Sequence, residues 1–445
     1  MLTFLAFAMV ATFMALIMTK RLSPLTALIL VPIVFGAIAG FAPKLGPMML
    51  DGIKAIAPTG VMLMFAILYF AIMLDTGLFD PFVALILRLV KGDPARIVLG
   101  TAVLALLVSL DGDGSTTYMI TTAAMLPLYL KLGIRPIVLA CVTMLAGGVM
   151  NLLPWGGPTA RVATALAVDM STLFPPLVPA MAAGAAWVLF AAWQLGRGER
   201  ARLLAQGGPA PITPDAHAAH GIVGEDEGED VAALKRPKLR VVNTILTVVL
   251  LVALIKAVLP LPVLFMIGFA IALMINYPSL ADQRARIGAH AGNALAVAGV
   301  VFAAGIFTGI LSGTKMIDAM AESVVHLVPA SLGPFMAPVT ALLSVPFTFF
   351  ISNDAFYYGV VPILAKAAAQ YGISPVEIGR ASLMGQPVHL LSPLVPSTYL
   401  LVGLCGVEFD EHQRFTLKWA ALSALVLLVV ALATTVVPLV GHARP

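Results

Sequence analysis

Apolar runs recur along the whole chain, and short polar clusters cut into them at matched places. About 17–25 mostly apolar residues cross the hydrocarbon core of a bilayer as a helix. By that measure the first half predicts spanning helices near 2–19, 25–42, 56–76, 136–153 and 175–196. The segment 78–92 interleaves charges with apolar residues and reads as a helix lying at the interface. Two pieces, 96–110 and 115–132, are marginal for a full crossing. They flank the polar string SLDGDGSTTY at 109–118. The second half repeats this order. Spans fall near 241–258, 261–277 and 290–312, an interfacial segment at 314–328, and short pieces at 334–350 and 355–371 around Ser352-Asn353-Asp354. A span at 375–391 then breaks into LSPLVPST, and a last span lies near 416–438.

The repeat shows in letters as well as in order. TGLFD at 76–80 matches TKMID at 314–318, and GIRP at 133–136 matches GISP at 372–375. Pro154 and Thr159 fall on Pro393 and Thr398 at the same offset of about 239 residues. If each half makes about five crossings plus a hairpin that returns to its own side, the second half is upside down relative to the first. The fold expected is therefore an all-α polytopic membrane protein of two inverted-topology repeats. Each repeat holds an interfacial helix, a re-entrant hairpin and a broken helix. Residues 1–196 form the first repeat, 197–240 a hydrophilic cytoplasmic linker and 241–445 the second. The linker holds the acidic run GEDEGED and the basic run KRPKLR; its Pro, Gly and charge content suits a flexible spacer.

Composition supports the membrane assignment. The chain is 60% hydrophobic and 11% charged, with mean hydropathy +1.01, against about 25% charged residues in soluble domains. Its net charge of +4 comes from Lys and Arg between apolar runs, which suits cytoplasmic loops and not nucleic-acid binding. Lys20, Arg21, Arg135, Arg200, Arg286 and Arg414 fall on one side, and Lys44, Lys54 and Lys315 on the other. The basic side is expected to be cytoplasmic, so the first hairpin dips in from the cytoplasm and the second from outside. Leu2–Thr19 lacks a basic leader and a cleavage site and reads as a first membrane helix. Cys141 and Cys405 lie in apolar context as packing residues.

Four polar clusters remain: DGDGSTTY (111–118), NLLPWGGPTAR (151–161), SNDAFYY (352–358) and GQPVHLLSPLVPST (385–398). Backbone polar groups cannot stay bare in hydrocarbon, so broken helix at membrane depth must be covered by protein or line a wet cavity. Helix halves restarting near Ser115 and Thr159 present free N–H groups and a partial positive charge, an end that suits a carboxylate. Ser115, Thr116, Thr159, Ser397 and Thr398 add hydroxyls, and Asn151 and Asn353 both donate and accept. Asp111, Asp113 and Asp354 are acceptors for a cation or a transported proton. Arg161 either touches substrate or pairs with an acid such as Asp169; His389 reads as a buried, hydrogen-bonded histidine. No HExxH, P-loop or GxSxG pattern is present, so the expectation is not an enzyme.

SLDGDGSTTYMI and NLLPWGGPTARVA closely resemble segments of the citrate–divalent metal/proton symporter family, within the ion transporter superfamily. SNDAFYYGVVPIL and GQPVHLLSPLVPSTYLLVG resemble segments of the same family. The resemblance implies a bacterial inner-membrane carrier that takes up citrate complexed with a divalent metal of the Mg or Ca type, in symport with protons. It implies a homodimer with an elevator-like shift of a transport part against a scaffold, and no permanently bound cofactor. Carried onto this chain, Ser115, Thr116, Asn151, Gly157 and Thr159 serve the substrate from the first half, and Asn353, Asp354, Ser397 and Thr398 from the second. Asp111, Asp113 and Asp354 are the expected coupling carboxylates, and the metal's direct protein ligands stay unassigned. Related sodium–dicarboxylate transporters carry Ser-Asn-Thr at both hairpin tips. Here the tips read Gly-Ser-Thr (114–116) and Ser-Asn-Asp (352–354), which fits proton or divalent-metal handling better than sodium coupling. A di- or tricarboxylate carrier coupled to sodium or protons without metal is the second reading.

Overall fold

The computed structural model describes all residues except 90, 91, 113, 207–232, 257, 328, 330 and 442–445. Among the described residues there is no strand. The first half runs α1 (Leu2–Met18), α2 (Pro24–Ile38), α3 (Leu45–Asp75), α4 (Asp80–Leu89), α5 (Pro94–Val108), α6 (Gly114–Leu132), α7 (Pro136–Met150), α8 (Gly157–Leu166), a single turn α9 (Met170–Leu173) and α10 (Val178–Ala205). The second runs α11 (Arg240–Ile255), α12 (Leu261–Asn276), α13 (Leu280–Gly313), α14 (Met316–Leu327), α15 (Met336–Phe350), α16 (Val361–Ala369), α17 (Pro375–Ser382), a short α18 (Gln386–His389), α19 (Pro396–Cys405) and α20 (Phe409–Ala433). Short α4 and α14 fall on the two segments expected from the sequence to lie at the interface. The pairs α5–α6 and α15–α16 are the two hairpins. Broken helices follow each hairpin, as α7–α8 and α17–α19.

Proline and small polar residues set many of the starts. Pro24, Pro94, Pro136, Pro375 and Pro396 each open a helix, where a missing N–H costs nothing. Asp93 accepts from Ala95 N at 3.0 Å ahead of α5. Ser374 and Glu377 form a reciprocal capping box ahead of α17.

Seven helices among the described residues are long and apolar enough to cross a membrane. Two are longer than apolar runs alone predict. α3 begins at Leu45, not near 56, and α13 at Leu280, not near 290. At 31 and 34 residues and ~1.5 Å per residue they exceed the roughly 30 Å hydrocarbon core. Their first turns, LGPMMLDGIK and LADQRARIGAH, hold enough polar groups to hide the helix from hydropathy. α10 likewise continues to Ala205, past 197. There Glu199, 1% exposed, binds Arg135 and Arg202 at 2.6 and 2.8 Å and fixes the α6–α7 turn to α10. The core of the 197–240 segment lies outside the described residues. α1 is packed into the protein, with Ala6, Met9 and Phe13 fully buried, and both cysteines are free and buried.

α3 and α13 hold equivalent places in the two halves, and they pack antiparallel. A Cβ on Gly60 would meet Phe302, one on Gly305 would meet Ile56, and one on Gly313 would meet Met48. Numbers thus rise along α3 as they fall along α13. The Met48–Gly313 contact has its counterpart in Arg286 and Asp75, 3.5 Å apart, with the helices exchanged. The exchange holds elsewhere: α2 packs on α13 and α12 on α3, and α6 packs on α19 while α16 packs on α8. Each hairpin therefore ends against the other half's broken helix.

Candidate functional site

The first hairpin turns at Gly112, which has φ +80°, a conformation that glycine adopts without strain. Its tip is held by Trp155 of the first helix break. The indole Nε1–H donates to Leu110 O at 2.9 Å, and a Cβ on Gly112 would lie 2.7 Å from Trp155 Cδ1. Trp155 also packs against Phe70 of α3 at a tilt and edge-to-face on Phe265 of α12, with centroids 5.2 and 5.1 Å away. At the second tip, Ser352 Oγ accepts from Ala355 N at 3.2 Å. Gln386 Nε2 donates to Asn353 Oδ1 at 3.2 Å and to Tyr357 OH at 2.7 Å. A π-helical turn over Ala355–Val360 follows, the kind of local widening that functional sites often use.

Equivalent threonines close the two breaks. Thr159 Oγ1 donates to Asn151 O at 3.4 Å, and Thr398 Oγ1 to Leu390 O at 2.5 Å, each across eight residues. Both side chains are fully buried. Their hydroxyl protons serve the backbone, so what they offer a ligand is lone pairs only.

The halves meet at two reciprocal points. Ser397, at the start of α19, lies beside the first tip, its Oγ 3.6 Å from where a Gly114 Cβ would sit. Arg161, on α8, binds the second tip through Nε to Asp354 Oδ1 at 2.7 Å. Arg161 does not pair with Asp169, whose carboxylate caps α9 by accepting from Ser171 N at 2.7 Å.

A cavity of about 300 Å³ opens beside these points. Asp111, Gly112, Thr116, Gly157 and Arg161 line one wall together with Trp155 and Tyr358. The other wall comes from α3, at Leu63 and Phe70, and from α13, at Asn293 and Val297. Its size sits at the small end of ligand sites. A larger cavity, about 580 Å³, lies further along α3 between Ala55, Met62 and the Val258–Pro262 turn. Among its described lining residues Asp169 is the one ionisable group, and it already caps a helix, so the smaller cavity is the candidate site.

Of the sequence-predicted residues, the structure brings Asp111, Thr116 and Gly157 to the cavity wall. Asp354 reaches it through Arg161. Ser115 is the second residue of α6, Asn353 is tied to Gln386, and Asn151, Thr159 and Thr398 knit the breaks. Asp113 lies outside the described residues. Among the described residues no group of three His, Cys, Asp or Glu is placed to hold a metal ion. His389 Nδ1 is 2.6 Å from Thr348 O; a carbonyl only accepts, so Nδ1 carries the proton. Trp155, Tyr358 and Asn293 were not singled out from the sequence. Trp155 and Tyr358 sit inside the quoted polar strings, and an asparagine in an apolar helix such as Asn293 is itself a signal.

The profile of the citrate transporter family matches residues 13–385. Two proteins of Bacillus subtilis (strain 168) align along nearly the whole chain. One is a citrate transporter, 58% identical over 436 residues (97% of this chain, 98% of that one). The other is a Mg²⁺/citrate complex secondary transporter, 55% identical over 434 residues (97% and 98%). Among solved structures, the YdaH transporter of Alcanivorax borkumensis superposes with a TM-score of 0.54 at 12% identity, over 86% of each chain. MtrF of Neisseria gonorrhoeae does so at 0.54 and 13%, over 90% of this chain and 86% of its own. At such identities these two speak for the fold alone. With an all-helical, multi-pass architecture, a site built where two halves meet, and a family profile over most of its length, this protein is a membrane transporter and not an enzyme, and it belongs to the citrate transporter family.

Proposed function

We propose that this chain carries citrate, bound to a divalent metal of the Mg or Ca type, into a bacterial cell across the cytoplasmic membrane in symport with protons. The observation that carries this reading is the charge around the cavity. One guanidinium, Arg161, stands against two described carboxylates, Asp111 and Asp354. Free citrate near neutral pH brings about three negative charges, which this site repels; a divalent metal leaves about one, which cuts that repulsion severalfold and lets the open side of the Arg161 fork hold a carboxylate. The 55% identical relative is named for a Mg²⁺/citrate complex, which supports the same cargo here. In this reading the metal's ligands are citrate's own oxygens, and the protein recognises the outer face of the complex.

The packing supports an elevator-like transport cycle. α3, α12 and α13 form a scaffold, and the hairpins with the broken helices form a mobile part that shifts along it like an elevator. The antiparallel α3–α13 pair and the exchanged contacts support two inverted repeats, which give such a shift two equivalent end states. The cavity lies toward the Asp75 end of α3, where Arg286, Lys235 and Arg240 gather, which supports reading the arrangement as inward-facing. A homodimer would hold the scaffold still in the bilayer.

Calorimetry on the detergent-purified protein tests the cargo. Citrate with Mg²⁺ or Ca²⁺ is expected to bind, and EDTA to weaken binding by about tenfold or more, as the uncompensated charge implies. Equal binding of citrate in EDTA would favour a plain di- or tricarboxylate carrier.

A further inference from the structure

Among the described residues, the Arg161–Asp354 pair is the one ion pair that joins the first half's broken helix to the second half's hairpin tip. Its geometry leaves Arg161 unfinished. Among the described residues only Nε is engaged, by Asp354 Oδ1 at 2.7 Å. A guanidinium has five N–H donors in a fork that fits a carboxylate face-on, so both terminal nitrogens remain available. The side chain is 27% exposed and lines the cavity. Beside it, the Tyr358 hydroxyl is buried, lines the same cavity and has no hydrogen-bond partner among the described residues. An arginine fork next to an unsatisfied hydroxyl is a carboxylate receptor.

We propose that Arg161, with Tyr358, receives a carboxylate of the cargo, and that this arrival drives the co-transported proton onto Asp354. This rests on the metal–citrate reading above. With the receptor filled, two carboxylates share one guanidinium in a half-buried site; Asp354 is only 13% exposed. Like charges that close do not both stay ionised. The proton comes from water on the entry side, binds an Asp354 carboxylate oxygen and returns to water when the cargo leaves. The other ionisable groups facing this point are few. Tyr357 and Tyr358 lie on the same turn, Asp111 lines the cavity, and His389 comes from the second broken helix and already gives its Nδ1 proton to Thr348 O. α1 and α15, which also pack on the second hairpin tip, carry no ionisable side chain.

The test measures cargo affinity and proton uptake together, by titrating purified full-length protein with Mg²⁺–citrate in weak buffer at several pH values. Wild type is expected to take up protons on binding. Asp354→Asn, which mimics the protonated acid, is expected to bind the complex at least as tightly, with proton uptake lost and affinity flat with pH. Arg161→Gln is expected to lose affinity about 100-fold, the scale of a lost charge-assisted carboxylate contact. A purely structural pair predicts that both variants weaken binding alike, and that result overturns the proposal. So does Arg161→Gln binding within about threefold of wild type, or wild-type proton uptake in Asp354→Asn. Should Arg161→Gln fail to fold, Arg161→Lys decides: about tenfold weaker binding with proton uptake kept supports the receptor, and unchanged affinity refutes it. Wild type that binds no citrate, with or without metal, refutes the cargo reading itself and this proposal with it.

Discussion

Gly112 and Trp155 show how single residues hold the first tip. Gly112 sits at φ +80° with Trp155 Cδ1 where its Cβ would go. Gly112→Ala therefore meets both a left-handed backbone, costing roughly 1–2 kcal/mol, and a steric clash with the indole. It should lower the thermal unfolding midpoint and weaken substrate binding. Trp155→Phe keeps the packing on Phe70 and Phe265 but loses the bond to Leu110 O, for about 0.5–1.5 kcal/mol; it should be the milder change. An unaltered midpoint and affinity in Gly112→Ala would mean a looser tip than described. In SLDGDGSTTY Gly112 was legible as a turn residue from its type alone, while Gly114, read with it as a helix stop, instead opens α6. The indole that holds Gly112 was not legible, because the contact joins Leu110 to Trp155 across 45 residues. Arg161 raised the same difficulty: its charge marked it, but the acid named for it from the sequence was the nearby Asp169, and only the fold put it on Asp354.

Hydropathy placed the helices by their apolar centres and missed where they extend. α3 and α13 run about three turns beyond their apolar stretches, because a helix that leaves the bilayer keeps its backbone bonds while its side chains turn polar. What joins the two helices is glycine. Gly52, Gly305 and Gly309 lie on the contact with almost no side chain between the backbones, the close approach that small residues allow between membrane helices. Gly52→Val puts branched carbons where the Gly305 carbonyl lies. It should destabilise the protein by about 1–3 kcal/mol or more, as overpacking does, read as a fall in unfolding midpoint against wild type in the same detergent. Gly46→Val, with nothing near its Cβ position, is the matched control and should leave the midpoint in place. Equal behaviour of the two variants would contradict the tight α3–α13 contact.

At the scale of the molecule, an offset of about 239 residues links matching punctuation in the two halves of the sequence: Pro154 and Pro393, Thr159 and Thr398, TGLFD and TKMID. How the halves meet was not legible. Position 114 beside Ser397 and Arg161 on Asp354 are contacts between halves, and an offset within one chain says nothing about them. These contacts build the site, and their charge is the reason for assigning a metal complex and a proton as cargo. Uptake of labelled citrate into proteoliposomes tests that assignment most directly, with Mg²⁺, a pH gradient and a sodium gradient varied in turn. The account predicts accumulation that needs the metal, is driven by an inward proton gradient, stops in EDTA and ignores sodium. Uptake that persists in EDTA, or that follows sodium and disregards the pH gradient, would contradict it.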